Sequence, residues 1–352
     1  MARADLGPDL TIRGAGIFGL SIGWVAARRG ARVRVIDPFG VGSGSSGGVV
    51  GALAPHVPEK WNPKKAFQLD SLLMAAGWWA EVEATSGRDA GYARTGRLQP
   101  LADARAVEQA RERAASAEAL WQGHAAWLVE PAPGGWSVQS PTGLIVRDTL
   151  TARINPRRAL AALTEAIRAK GGEVIVGEAE ASGPVIWATG AAGLGDLSAV
   201  LGVTVGDAEK GQAIVLGHDA GRDAPQLFAD TVHIVPHADG TVAIGSTTER
   251  QWDDATTTDA QLDTLLARAI AACPVLEGAP VLERWAGLRP RARSRAPMLG
   301  EWPGRPSHFI ANGGFKIGFG MAPKVAEVMA DLVLEGRYAI PDGFRVEASL
   351  QG

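Results

Sequence analysis

The stretch DLTIRGAGIFGLSIGWVAARRGARVRVIDPFG, residues 9–40, leaves its part of the chain few options. Its apolar periodicity predicts a strand over 9–13, a helix over 17–29 stopped by Gly30 behind two arginines, and a second strand over 32–37. Gly14, Gly16 and Gly19 form a G-x-G-x-x-G between the first strand and the helix. The first glycine permits a tight turn, the second lets a pyrophosphate approach the backbone, and the third lets helix and strand pack closely. Ile17 and Phe18 then open the helix, where unbonded amides face phosphates. Asp37, 21 residues after Gly16, is placed to accept hydrogen bonds from an adenosine ribose and leaves little room for a 2′-phosphate. Arg13 stands where a buried parallel strand would carry an apolar residue, and is expected to reach the strand's end and solvent.

A chain of 352 residues accommodates about two domains, or one with a large insertion. A net charge of −3 argues against a protein held to nucleic acid or anionic membrane by overall electrostatics. The single cysteine, Cys273, excludes an intramolecular disulfide and the usual multi-cysteine zinc sites, and its apolar setting in RAIAACPVLE reads as core. No metal site is expected. The start MARADLGPDLTIRGAG carries acids and lacks an apolar signal-peptide core, and no run of about 18 apolar residues follows, so a cytoplasmic location is expected.

The loop GVGSGSSGGVVGALAPH, residues 40–56, separates two kinds of dinucleotide protein. A nicotinamide enzyme would continue with another strand and helix. Here small residues allow the backbone to run along a large planar cofactor, and Ser45 and Ser46 offer hydroxyls and amides to its phosphates. With GAGIFGLS, VIDP and this loop, the ordered elements INPRRALAALTEAIRAKGGEV, VIWATGAAG, HIVPHADGTVAIGSTTE, WAGLRPRARSRAPMLG and NGGFKIGFGMAP resemble the D-amino-acid oxidase superfamily of flavoproteins. The likeness is greatest to its glycine oxidase and sarcosine oxidase-like members and runs over nearly the whole chain.

The resemblance implies an α/β fold: a Rossmann-like FAD-binding domain of the GR2 type, and a substrate domain on an antiparallel sheet flanked by helices. The first would be discontinuous, from residues 1–85, 145–205 and 285–352, and the second would take 86–144 and 206–284. Period-two runs broken by glycine turns in the two insertions suit that sheet, with the HADG turn at 237–240 as a hairpin. Two helices are also expected there: a charged cover helix within 103–124, and one within 257–273 opened by threonine and aspartate caps.

For FAD, the resemblance assigns Val174 to the adenine and Ala188, Thr189 and Gly190 to a second strand-turn contact. It assigns Gly314, Lys316, Ile317, Gly318, Phe319, Gly320 and Met321 to the isoalloxazine, where a helix start favours negative charge on reduced flavin. The implied reaction oxidises the C–N bond of a small amine or amino acid of the glycine, sarcosine or D-amino-acid class. Hydride passes to the flavin and the resulting imine hydrolyses. Arg289 of GLRP matches the carboxylate anchor, Lys316 stands where relatives often carry a second arginine, His233 falls near a usual cavity tyrosine, and His56 should lie beside the flavin. No cysteine follows Cys273 where covalent relatives tether the cofactor, which implies non-covalent FAD.

The implied partners are the amine and oxygen or another electron acceptor, with oligomerisation left open. After Arg289 the run RARSRAP departs from relatives and allows a substrate with an additional acidic group. In an extended strand Arg289, Arg291, Arg293 and Arg295 share one face, but Pro290 can end that shared direction early, leaving Arg293 and Arg295 solvated. Two alternatives remain: an oxidase acting on a glycine-like group of a modified tRNA uridine, and a non-catalytic flavin-binding subunit.

Overall fold

Leu10, Thr11 and Ile12 are fully buried, so the first strand is covered on both faces, as the middle of a parallel sheet requires. The computed structural model describes residues 7–350, so the first six residues of the amino-terminal stretch read above lie outside the described residues. In chain order the strands are β1 (Leu10–Arg13), β2 (Val33–Asp37), β3 (Ala52–Leu53), β4 (Arg97–Pro100), β5 (Trp127–Pro131), β6 (Leu144–Asp148), β7 (Ala152–Arg153), β8 (Glu173–Val176), β9 (Val185–Trp187), β10 (Gly206–Gly217), β11 (Gln226–Ala229), β12 (Val232–Pro236), β13 (Thr241–Gly245), β14 (Val281–Ala292), β15 (Met298–Glu301) and β16 (His308–Asn312). The helices are α1 (Ile17–Arg28), α2 (Pro63–Ser86), α3 (Ala104–Trp121), α4 (Pro156–Ala169), α5 (Gly190–Leu201), α6 (Gln261–Ala272), α7 (Gly318–Glu335) and α8 (Glu347–Leu350).

The βαβ unit forms as read, with α1 and both strands ending within a residue of expectation. It seeds a six-stranded sheet of order β15-β16-β9-β1-β2-β8, parallel except for the β15–β16 pair. Helix α1 is buried from Ile17 to Ala27 because α4 and α7 flank it, and α2 packs across both. Gly19 makes that packing possible, since a Cβ there would stand 1.9 Å from the Gly14 carbonyl oxygen.

The second sheet has eight strands in the order β14-β10-β13-β12-β11-β4-β6-β5, antiparallel except for β11 with β4. The hairpin closes at residues 237–240 between β12 and β13. Helix α6 packs on this sheet, and Cys273 behind it is fully buried in the apolar cluster. Its cap is shifted from the reading: Ala260 holds the cap position without a side-chain bond, while the Asp259 carboxylate accepts from Gln261 N at 2.9 Å. Helix α3 lies along β5 with Val107, Ala110, Ala117 and Trp121 inward and its charged residues in solvent, except Arg113, which pairs with Glu59 at 2.8 Å. Strands β6 and β14 run across the expected boundaries at 145 and 285, yet both lie wholly in the second sheet. Among the described residues no helix is long and apolar enough to cross a membrane, and no cluster of His, Cys, Asp or Glu suits a metal ion.

Candidate active site

A cavity of about 1170 Å3 runs from Asp37, at the end of β2, to Arg289 on β14, lined from both sheets. That is larger than the ~300–1,000 Å3 of most small-molecule sites. Besides Pro156 at the start of α4, the starts of three further helices line its wall: Gly16, Ile17 and Phe18 of α1, Gly190 to Gly193 of α5, and Gly318 and Phe319 of α7. Among the described residues none of these three carries a side-chain cap from its own N-cap residue, whereas Asn62, Asp103 and Asn155 cap α2, α3 and α4. First-turn amides without internal partners, at the positive ends of three helix dipoles, make the wall a receptor for a long anion.

The nucleotide half is built by close backbone approach. Gly14 has φ +108°, and a Cβ there would meet the Ala188 carbonyl oxygen at 2.3 Å, so the two turns touch through bare backbone. Asp37 Oδ2 accepts from Ala15 N at 2.8 Å, and Oδ1 accepts from Phe39 N at 3.0 Å and Gly40 N at 3.1 Å. Ser43 Oγ also donates to Oδ1 at 3.4 Å, so Oδ1 is taken up in ordering the turns while Oδ2, with a single donor, keeps room for a hydroxyl. Ser46 Oγ accepts from Ile17 N at 3.0 Å, which ties the 40–56 loop to the start of α1. Arg13 reaches the strand's end as expected, but its Nη2 donates to Ala179 O at 3.0 Å and its Nη1 lies 3.6 Å from Glu178. An elongated cavity with glycine turns, a ribose-level carboxylate and three helix starts fits a dinucleotide such as FAD.

At the other end Arg289 is 8% exposed. Its Nη2 donates to Ser246 Oγ at 2.5 Å and its Nη1 to Thr247 O at 3.2 Å. Space for the guanidinium comes from Gly211 on the neighbouring β10, whose missing Cβ would stand 1.7 Å from Nη2. Burial pulls the Arg289 pKa down from the usual 12.5 to about 10, against the opposing pull of Glu209 and Glu249, so the group stays charged at neutral pH. Lys316 Nζ donates to Thr248 Oγ1 at 2.6 Å, and burial followed by the Arg289 charge lowers its pKa. His233 lines the cavity with its ring 4.5 Å from that of Phe228, and its Nδ1 has no partner among the described residues. Burial first, then the charges of Arg97 and Lys316, push His233 from 6.5 down to about 3, so its imidazole is neutral at pH 7.

The cavity gathers Arg289, Lys316 and His233 with Gly14, Gly16, Ile17, Phe18, Asp37, Ser45, Ser46, Ala188, Thr189, Gly190, Gly314, Ile317, Gly318 and Phe319. Other expected positions fall elsewhere. His56 lies two residues beyond the last cavity residue of its loop, and Gln68 of α2 bonds both its backbone N and its ring. Val174 pairs with Val35 inside the first sheet, and the chain meets the cavity only at Glu178, past the strand's end. Gly19 packs against Gly14, Gly320 faces Leu72, and Met321 is fully buried, because the first turn of α7 has already rotated those residues inward. Strand β14 ends at Ala292. Arg291 therefore shares the face of Arg289 and pairs with Glu209 at 2.5 Å, while Arg293 and Arg295 are exposed beyond it. Ser246, Thr247, Thr248 and Gly211 carry little signal in the sequence; GSTTE offers only a cluster of hydroxyls at the end of one matched element, and Gly211 is one glycine among 45.

Residues 9–332 match the protein family described as FAD dependent oxidoreductase, DAO. The chain is 27% identical over 353 residues to a bifunctional ThiO/ThiG protein of Nostoc sp. PCC 7120, covering 93% of this chain and 53% of that one. It therefore spans about half the length of that curated relative. It is 25% identical over 356 residues to a glycine oxidase of Geobacillus kaustophilus, covering 92% of each chain. The crystal structure of glycine oxidase from Geobacillus kaustophilus superimposes with a TM-score of 0.83 at 23% identity, over 96% of this chain and 98% of that one.

Proposed function

Since the chain belongs to the DAO family of FAD-dependent oxidoreductases, we infer that it oxidises the C–N bond of a small amine or amino acid bearing a carboxylate. One observation carries this reading: the buried guanidinium of Arg289 lines the same cavity as the three helix starts that have no cap from their own N-cap residue. FAD, when bound, supplies the redox chemistry by taking two electrons and the hydrogen from the carbon beside the nitrogen. The remaining work is positioning. Ser246 Oγ and Thr247 O hold the Arg289 fork, and a planar guanidinium so held grips a substrate carboxylate through paired hydrogen bonds. That grip orients the carbon to be oxidised toward the cofactor, and such positioning can lower the barrier substantially. His233 lines the same cavity with an imidazole that is neutral at pH 7, and in this reading it sits beside the amine. The positive end of α7 favours negative charge on the cofactor.

We assign the first sheet and its helices to FAD and the second sheet to the substrate, with β6 and β14 wholly in the latter. Cofactor attachment is non-covalent in this reading, since Cys273 is buried in the second sheet's core and does not line the cavity. The acceptor of the electrons is oxygen or another oxidant, and the cell compartment is the cytoplasm. The test is anaerobic mixing of the FAD-loaded protein with glycine, sarcosine and D-amino acids, with loss of flavin absorbance at ~450 nm reporting oxidation whatever the acceptor. Bleaching by one of them is expected. A protein that binds FAD and is bleached by none would overturn the reading in favour of a non-catalytic flavoprotein.

A further inference from the structure

The substrate end of the cavity holds more positive charge than one carboxylate can balance. Arg289 and Lys316 both line it, and neither has a carboxylate within ion-pair distance among the described residues. The nearby acids are committed elsewhere. Glu209 lies directly opposite Arg289 in the β10–β14 register, yet its Oε1 is held by Arg291 at 2.5 Å and faces Arg250 at 3.8 Å. Glu249 lies 3.8 Å from Lys210 and accepts from Gln212 Nε2 at 3.1 Å and from the Thr247 hydroxyl. The acids that do line the cavity, Asp37 at the end of β2, Glu178 just past β8 and Asp196 on α5, stand outside the sheet that carries Arg289.

The two cations are also chemically distinct. Arg289 presents a fixed planar fork held by Ser246 and Thr247. Lys316 presents a compact ammonium held by Thr248 Oγ1, 5.6 Å from the centroid of the Phe315 ring. A fork suits a carboxylate taken bidentately, and an ammonium suits a second anionic oxygen from any direction. Arg289 is buried while Lys316 stands exposed at the same cavity, so the two like charges repel across it, and that repulsion is relieved by one ligand carrying two negative groups.

Building on the reading above, we propose that this site selects an amine bearing two anionic groups, an amino dicarboxylate, with one carboxylate on the Arg289 fork and the other on Lys316. Lys316 is then the specificity-determining residue.

The test uses FAD-loaded protein and inert probes, acetate against malonate and succinate, titrated at constant ionic strength and followed by perturbation of the flavin spectrum. The wild type should bind the better dicarboxylate at least ~10-fold more tightly than acetate, a difference of ~1.4 kcal/mol. Lys316→Met should bring that ratio close to one, and Lys316→Arg should restore it. A wild type that binds acetate as tightly as both dicarboxylates, or a Lys316→Met protein that keeps the full ratio, overturns the proposal. Turnover separates it from the parent reading. Bleaching by glycine without any dicarboxylate preference refutes the dianion site alone. Lys316-dependent dicarboxylate binding with no bleaching by D-aspartate, D-glutamate or any monocarboxylate amine refutes amine oxidation and leaves the dianion site standing.

Discussion

Replacing Gly211 by alanine should disable the substrate end while leaving the fold intact. Gly211 lies two residues beyond Glu209 on β10, and so shares the face that meets Arg289 across the ladder. An added Cβ would stand 1.7 Å from Nη2, 2.0 Å from Cζ and 2.2 Å from Nη1 of Arg289, far inside any van der Waals contact. All three atoms are at the free end of a flexible side chain. The φ of Gly211 lies outside the left-handed region, so alanine strains neither this backbone nor the facing one. The guanidinium must therefore leave, losing Ser246 Oγ at 2.5 Å and Thr247 O at 3.2 Å, and with them its aim at the cavity. Hydrogen bonds to charged groups contribute ~1.5–3 kcal/mol. At ~1.4 kcal/mol per decade this weakens a bound carboxylate by roughly 10–150-fold. The assay is a carboxylate titration of the FAD-loaded variant, paired with thermal unfolding, and the expected result is a large rise in Kd at a melting temperature within a few degrees of wild type. Unchanged carboxylate binding would refute the assignment of Arg289 as the anchor. Collapse of the fold would refute the claim that the clash falls on a side chain free to move.

Three further outcomes follow from the same structure. Gly14→Ala combines a left-handed φ of +108° with a Cβ 2.3 Å from a backbone oxygen, so the variant should elute from gel filtration with its flavin lost and its melting temperature lowered; wild-type values for both would contradict the close approach of the two turns. His233 holds its native pKa at about 3 against 6.5 unperturbed, so the native ring refuses a proton that the unfolded chain accepts. Its contribution to stability is fully present above pH 6.5 and erodes as the pH falls toward 3, and His233→Asn should flatten this part of the melting temperature–pH curve; equal slopes in the two proteins would exclude the buried neutral imidazole. Asp148 is fully buried and accepts from Arg97 Nε at 2.8 Å, so Asp148→Ala strands a buried guanidinium and should lower unfolding free energy by ~3–5 kcal/mol in urea titration, whereas a change below ~1 kcal/mol would show that Arg97 finds water.

The features legible in the amino-acid sequence are those whose physics is local. A glycine turn between a strand and a helix, an acid at the end of the next strand, and a cysteine in an apolar helix end each follow from a few neighbouring residues, and all stand where they were expected. The cofactor class was legible through the order of several such segments, none sufficient alone. His56 and Val174 do not line the cavity, for one shared reason. Their segments do pass near the cavity, but which residue turns toward it depends on Gln68 of α2 in one case and on where β8 stops pairing with β2 in the other.

The arginine run shows the same division. Alternation along an extended strand already put Arg289 and Arg291 on one face. Only the register of β14 against β10 decides that Glu209 neutralises Arg291 and that Gly211 opens space for Arg289, and only the meeting of the two sheets puts Lys316, 27 positions later in the chain, on the same cavity with no ion pair of its own among the described residues. The βαβ unit, the dinucleotide class and the candidate anchor were legible without the fold, because backbone conformation and side-chain chemistry are carried by short segments. The tertiary structure alone decided which charges are spent on one another and which are left for a ligand, because that balance is set by pairing between residues far apart in the chain.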